Sequence, residues 1–158
     1  MENDPIERKK IFLEHNSDYH EMMEDLKVDE EYYTDSFRDI FLLGMCYAAF
    51  NQLDPIELEQ GKRKQSIRIG EVINKDHLFL IKILAYSHTK DYSILSNDNK
   101  CYEIAEKFAN AGLKEIFLWN TSGALGITWF SQSNAARDSR IVRPITIRNL
   151  LRVVFSIK

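Results

Sequence analysis

A chain of 158 residues has room for one domain with its own core, and a composition of 44% hydrophobic and 28% charged residues excludes an intrinsically disordered protein. Six Gly and three Pro speak for helices and against a sandwich of short strands. The net charge of −3 excludes a uniformly basic nucleic-acid binder, and the longest apolar run, Ile40–Phe50, is shorter than the about 20 residues that cross a bilayer.

The N-terminal "MENDPIERKK" lacks the apolar stretch of a secretory leader. Cys46 and Cys101 sit inside apolar helical patterns, which predicts buried free thiols. Together these features predict a cytoplasmic protein without a membrane segment.

In chain order, Asp4-Pro5 is a helix start and predicts a short charged helix over "PIERKKIFLEHN". A second helix covers "DYHEMMEDLKV", with Tyr19, Met22, Met23 and Leu26 on one side. The clearest helix lies in "EYYTDSFRDIFLLGMCYAAFNQL", where Ser36 with Asp39 resembles a capping box. Phe37, Ile40, Phe41, Gly44, Met45 and Ala48 form its stripe, and Leu42, Leu43 and Tyr47 bury it nearly all round.

Asp54-Pro55 opens a break, inside which "SIRIGEV" alternates like a short strand. Asn74 caps the next helix, "KDHLFLIKILAYSHT", whose centre is apolar on every side except Lys82 and reads as a core element. "KDYSIL" is a turn or short helix, and Asn99 caps "KCYEIAEKFANAGL", which Gly112 is expected to end. "LKEIFLWN" is ambiguous between helix and strand.

After Asn120 the chain turns small and polar around the apolar knot Ile127–Phe130. "PITIRNLLRVVFSIK" then sets Ile147, Leu150, Leu151 and Val154 at helical spacing, with Arg148 and Arg152 opposite. Its Val and Ile content leaves a strand open, and helix is the preferred reading. The expected fold is mainly α: a compact helical domain over 1–120 of about five to six helices, with a short β element near 66–72. A basic C-terminal extension over 121–158 would end in a docking helix. Its apolar positions Leu151, Val154, Phe155 and Ile157 are the candidate partner anchor.

Charge is unevenly spread. Carboxylates dominate from Asp18 to Asp39, whereas Arg137, Arg140, Arg143, Arg148 and Arg152 dominate the C-terminal end. Such a separation acts on association and steering.

Signatures of catalysis are weak. "HEMME" carries Glu24 where a zinc-protease helix needs a second histidine. It reads instead as a surface histidine among carboxylates. His77 and His88, on one helix, would stand about 16 Å apart and cannot share a metal. His15 and His20 share no face of a helix. Asp98 and Lys100 have a spacing used by nucleases, but in a polar turn at a helix start. "GKRK" lacks the upstream glycine and the hydroxyl of a P-loop. Neither a cofactor nor a metal is expected. An enzyme, if there is one, would have a dispersed site around Asp98, Lys100, His77 and His88.

The basic stretch "QGKRKQSIRIGE" is the strongest remaining feature. Lys62, Arg63, Lys64 and Arg68 can contact phosphates without reading sequence, or lie in a solvated loop, or bridge to an acidic partner. No aromatic is interleaved for base stacking. The order of an apolar helix ending in "YAAF", a Gly-Lys-Arg element, "ILAYSHTKDYSIL" and "IAEKFANAGLKEI" resembles the small dnd system-associated family found beside bacterial DNA phosphorothioation genes. The matching residues are Gly61, Lys62, Arg63, Ala85, Thr89, Asp91, Ile94, Leu95, Asn110, Gly112 and Leu113. Ala111 stands where the family has glycine, and the arginine-rich tail is unmatched.

The resemblance implies a non-catalytic accessory subunit of an anti-phage defence or DNA-modification complex, bound to a larger ATPase or nuclease and reaching DNA through the complex. Lys62, Arg63, Lys64, Arg68, Arg137, Arg140 and Arg143 would then be its candidate nucleic-acid contacts. The competing reading is an independent DNA-binding protein that uses the Gly61–Lys64 loop and the Arg137–Arg152 cluster.

Overall fold

The computed structural model describes residues 9–28 and 36–121. In order these form strand β1 (Phe12–Asn16), a 3-10 turn (Ser17–Tyr19) and helices α1 (His20–Val28) and α2 (Phe37–Phe50). Strand β2 (Arg63–Arg68) follows, then α3 (Ile69–Val72), α4 (Lys75–Thr89), a 3-10 turn (Tyr92–Ser96) and α5 (Asp98–Thr121). The described chain is mainly helical, as expected, and carries one two-stranded antiparallel sheet.

The centre of the fold is the contact of α2 with α5. Asp39–Met45 and Ala48 are buried, so α2 is covered nearly all round. The helices approach until Gly44 and Gly112 touch. A Cβ on Gly112 would lie 2.6 Å from the carbonyl carbon of Gly44, so only hydrogen fits there. Gly112 therefore does not end the helix. It is a close-approach position within α5, which runs on through "LKEIFLWN".

One core cluster joins α2, α4, α5 and the sheet through Leu13, Phe41, Leu42, Ile67, Ile81 and Ala105. A second packs Met22, Met23 and Leu26 of α1 on Ile40, Leu43, Leu113 and Ile116. The α1 stripe thus buries as its spacing predicts.

Several local expectations are corrected. Phe12–Asn16 is a strand and not the end of a charged helix. Leu13 and His15 turn inward in a two-residue period and pair with β2, and this tertiary ladder overrides the helix-start signal at Asp4-Pro5. Residues 1–8 lie outside the described residues.

The second strand starts at Arg63, before the 66–72 window, and stops at Arg68. Ile69–Val72 forms a helical turn instead. Pairing with β1 sets these limits, with Leu13 opposite Ile67 and a bulge between Leu13 and Glu14.

α4 is less buried than its composition suggests. Only Ile81 and Ala85 are fully enclosed, while Phe79 and Ile83 point outward. Its start is well determined: Asn74 accepts from the His77 backbone N–H, and the Asn74 N–H donates back to His77 Nδ1, a complete capping box. At α2 the box is half made. Ser36 Oγ accepts from the Asp39 N–H, but the Asp39 carboxylate takes Arg38 at 2.7 Å. α5 is capped by Asn97, which accepts from the Lys100 N–H. Asn99 instead accepts from the Lys10 backbone N–H. Among the described residues no helix is long and apolar enough to cross a membrane.

Candidate functional site

The basic stretch is a turn followed by a strand. The Lys62 N–H donates to the Glu59 carbonyl, and Gly61 supplies the left-handed φ of +90° that closes the turn. The Ser17 N–H then donates to the Lys62 carbonyl at 2.7 Å, and Arg63–Arg68 zip onto β1.

This pairing brings carboxylates to the cations. Lys62 Nζ lies 2.8 Å from Asp18 and 3.4 Å from Glu59. The hydrogen bond to Asp18, then its charge, holds the Lys62 ammonium above its ordinary pKa. Arg63 donates to Glu14 at 3.2 Å and to the Leu58 carbonyl at 3.4 Å. Gln65 takes the other Glu14 oxygen, and Arg68 pairs with Glu71 at 2.6 Å. Among the described residues Lys64 alone of these four cations has no carboxylate partner. The acidic partner that the sequence left open is largely this chain itself, through Glu14, Asp18, Glu59 and Glu71.

Arg137, Arg140 and Arg143 lie outside the described residues, as do Leu151, Val154, Phe155 and Ile157.

Three of the four residues of a dispersed enzyme, His77, His88 and Asp98, are held in folding roles. His77 completes the α4 capping box, and His88 meets the Phe108 ring edge-on at 5.3 Å. Asp98 accepts from Lys82 at 2.7 Å, and the same ammonium donates to the Leu95 carbonyl, pinning the 3-10 turn to α4. Burial raises the Cys46 thiol to about 11, which makes it a poor nucleophile. Among the described residues no three His, Cys, Asp or Glu side chains gather at metal-binding range.

The resemblance-bearing residues also hold the fold. Thr89 Oγ donates to the Ala85 carbonyl and accepts from the Asp91 N–H; Asp91 in turn caps Ser93. The Ile94 carbonyl accepts from the Cys101 thiol. Asn110 donates to the Ile56 and Glu57 carbonyls, tying the segment before β2 to α5.

Two features escaped the sequence reading. Glu106 is buried on α5, where it accepts from Lys10 Nζ at 2.8 Å and from the Glu14 N–H at 2.6 Å. Burial outweighs both partners and raises its pKa to about 6. A signal was available: Glu106 shares the stripe of Tyr102, Ala109 and Leu113.

The second is a ring stack. His15 and His20 lie 5.3 Å apart and nearly parallel, His20 stacks on Phe37 at 5.0 Å, and Lys27 caps that ring at 4.3 Å. His20 is therefore covered and not a surface histidine, although it still meets Glu24 at 3.3 Å. His15 and His20 share a face because one is on a strand and the turn at Ser17–Tyr19 folds the other back. Burial, then the charges of His20 and Lys64, hold His15 below its ordinary pKa against the opposing pull of the Asn16 carbonyl.

A family model described as DNA sulphur modification system-associated protein 4 matches residues 14–118. No curated protein and no solved structure matches the chain.

Proposed function

Since the chain belongs to the family of DNA sulphur modification system-associated protein 4, we propose that it is a non-catalytic accessory subunit of a DNA-modification and anti-phage complex, working in the cytoplasm beside a larger ATPase or nuclease. The match over residues 14–118 carries this reading. The local chemistry supports it. Asp98, His77 and His88 serve the fold, and the family-like residues from Thr89 to Asn110 brace turns and helix contacts.

The partner anchor is Leu151, Val154, Phe155 and Ile157, the apolar positions near the C-terminus. DNA is met through the assembly. Arg137, Arg140 and Arg143 are the main phosphate contacts and Lys64 is a further one, because Lys62, Arg63 and Arg68 already carry carboxylate partners.

A gentle pull-down of the tagged chain from its native host, with and without nuclease treatment, tests the reading. A large protein captured in stoichiometric amount and resistant to nuclease is the expected result. A chain ending at Arg143 should lose that protein. Recovery of nucleic acid without a stoichiometric protein would overturn the subunit reading in favour of an independent DNA binder.

A further inference from the structure

Helix α4 carries an apolar face that the described chain leaves open. Ile81 and Ala85 are buried, with Leu78 and Leu84 packed against the core. On the other side Phe79 is 63% exposed and Ile83 48% exposed. Tyr86 extends this ridge, its ring 4.5 Å from that of Tyr92, which is 73% exposed.

Asp76, Phe79, Ile83 and Tyr86 follow one another at spacings of three, four and three, and Lys90 caps the helix just past its last residue in the left-handed conformation. That is the seam of a two-helix coiled coil, with an acid at one end and a base at the other. Lys75 and Asp76 begin the helix, and Lys90 and Asp91 follow its last residue; all four are exposed. Lys75, Asp76 and Lys90 form no ion pair among the described residues.

We propose that α4 pairs antiparallel with α4 of a second copy of this chain, about a two-fold axis near Ile83. This axis sets Ile83 against its own copy, Phe79 against Tyr86 and Asp76 against Lys90. The charges select both direction and register. Parallel pairing would set Asp76 on Asp76 and Lys90 on Lys90, and a slip of one heptad would press Ile83 onto Asp76 and leave Lys90 alone. Antiparallel pairing also opposes the two helix dipoles. One 15-residue helix from each copy is a small contact, so the dimer is weak and concentration-dependent.

The inference is independent of the partner captured through the C-terminal end. It is tested by sedimentation of the full chain over a concentration series. A monomer–dimer equilibrium is expected, well populated by roughly 100 µM, as suits a contact below the standard interface size. Ile83→Asp, at an exposed position, should leave only monomer. Asp76→Lys and Lys90→Asp should each weaken the dimer by about 3–10-fold, and the two together should restore it to within about 3-fold. All three positions are exposed, and circular dichroism verifies that each variant folds.

A full chain that stays monomeric at the top concentration overturns the proposal and leaves this face to a different protein. So does a dimer that survives Ile83→Asp, or one in which the double reversal is no better than either single change.

Discussion

A carboxylate closed off from water keeps its ordinary pKa only when its partners make up for the lost hydration, and at Glu106 they do not. Lys10 and the Glu14 N–H favour the anion, yet burial sets the pKa at about 6, above the ordinary 4.5. The folded chain therefore binds more protons at this group than the unfolded chain does between those values. Its contribution to stability is full below about pH 4.5 and is lost as pH rises through about 6, a change of about 2 kcal/mol. Glu106→Gln keeps an acceptor for the Glu14 N–H and should remove this slope. Urea unfolding of both proteins across this window measures it as the difference between the two curves. The difference matters because His15, with its depressed pKa, contributes a slope of the opposite sign.

Among the elements, the crossing of α2 and α5 has the least tolerance. A methyl at Gly112 meets backbone of α2, which cannot yield without moving the helix. Gly112→Ala should therefore destabilise the fold by about 3 kcal/mol or more, at the top of the overpacking range. Gly44→Ala meets the Leu113 side chain at 2.9 Å and the Ala109 carbonyl at 3.1 Å. The leucine can shift, so the loss should be smaller, about 1–2 kcal/mol. Thermal unfolding of both variants ranks them, and equal losses would mean that backbone contact does not set the limit. At the start of α4, Asn74→Ala breaks the capping box and should cost about 1 kcal/mol in the same assay.

At the scale of the whole molecule, the acidic N-terminal half meets the basic stretch within one sheet and turn, and this changes what the stretch can offer to DNA. Replacing Lys62, Arg63 and Lys64 together by Ala removes one uncommitted cation and two paired ones. On the proposed function, the salt dependence of DNA binding by the native assembly should then fall by a slope of about 1. Replacing Arg137, Arg140 and Arg143 should lower it by about 3. Binding measured over a salt series separates the two. An unchanged affinity at low salt after the first triple change would remove Lys64 from the phosphate contacts as well.

The sequence alone determined the helical class, the burial of α2, the α1 stripe and the caps at Ser36 and Asn74. It also carried the family resemblance that the match over residues 14–118 supports. Each of these signals is written within a few turns of one segment, where side-chain period and capping chemistry act. The tertiary structure decided the rest. It made Phe12–Asn16 a strand because β2 was there to pair with it, and it turned Gly112 from a helix end into a contact with Gly44. It also set Glu14 and Asp18 against Arg63 and Lys62. These contacts join residues far apart in the chain, and no local pattern specifies which distant group will arrive to satisfy a backbone, a charge or a gap.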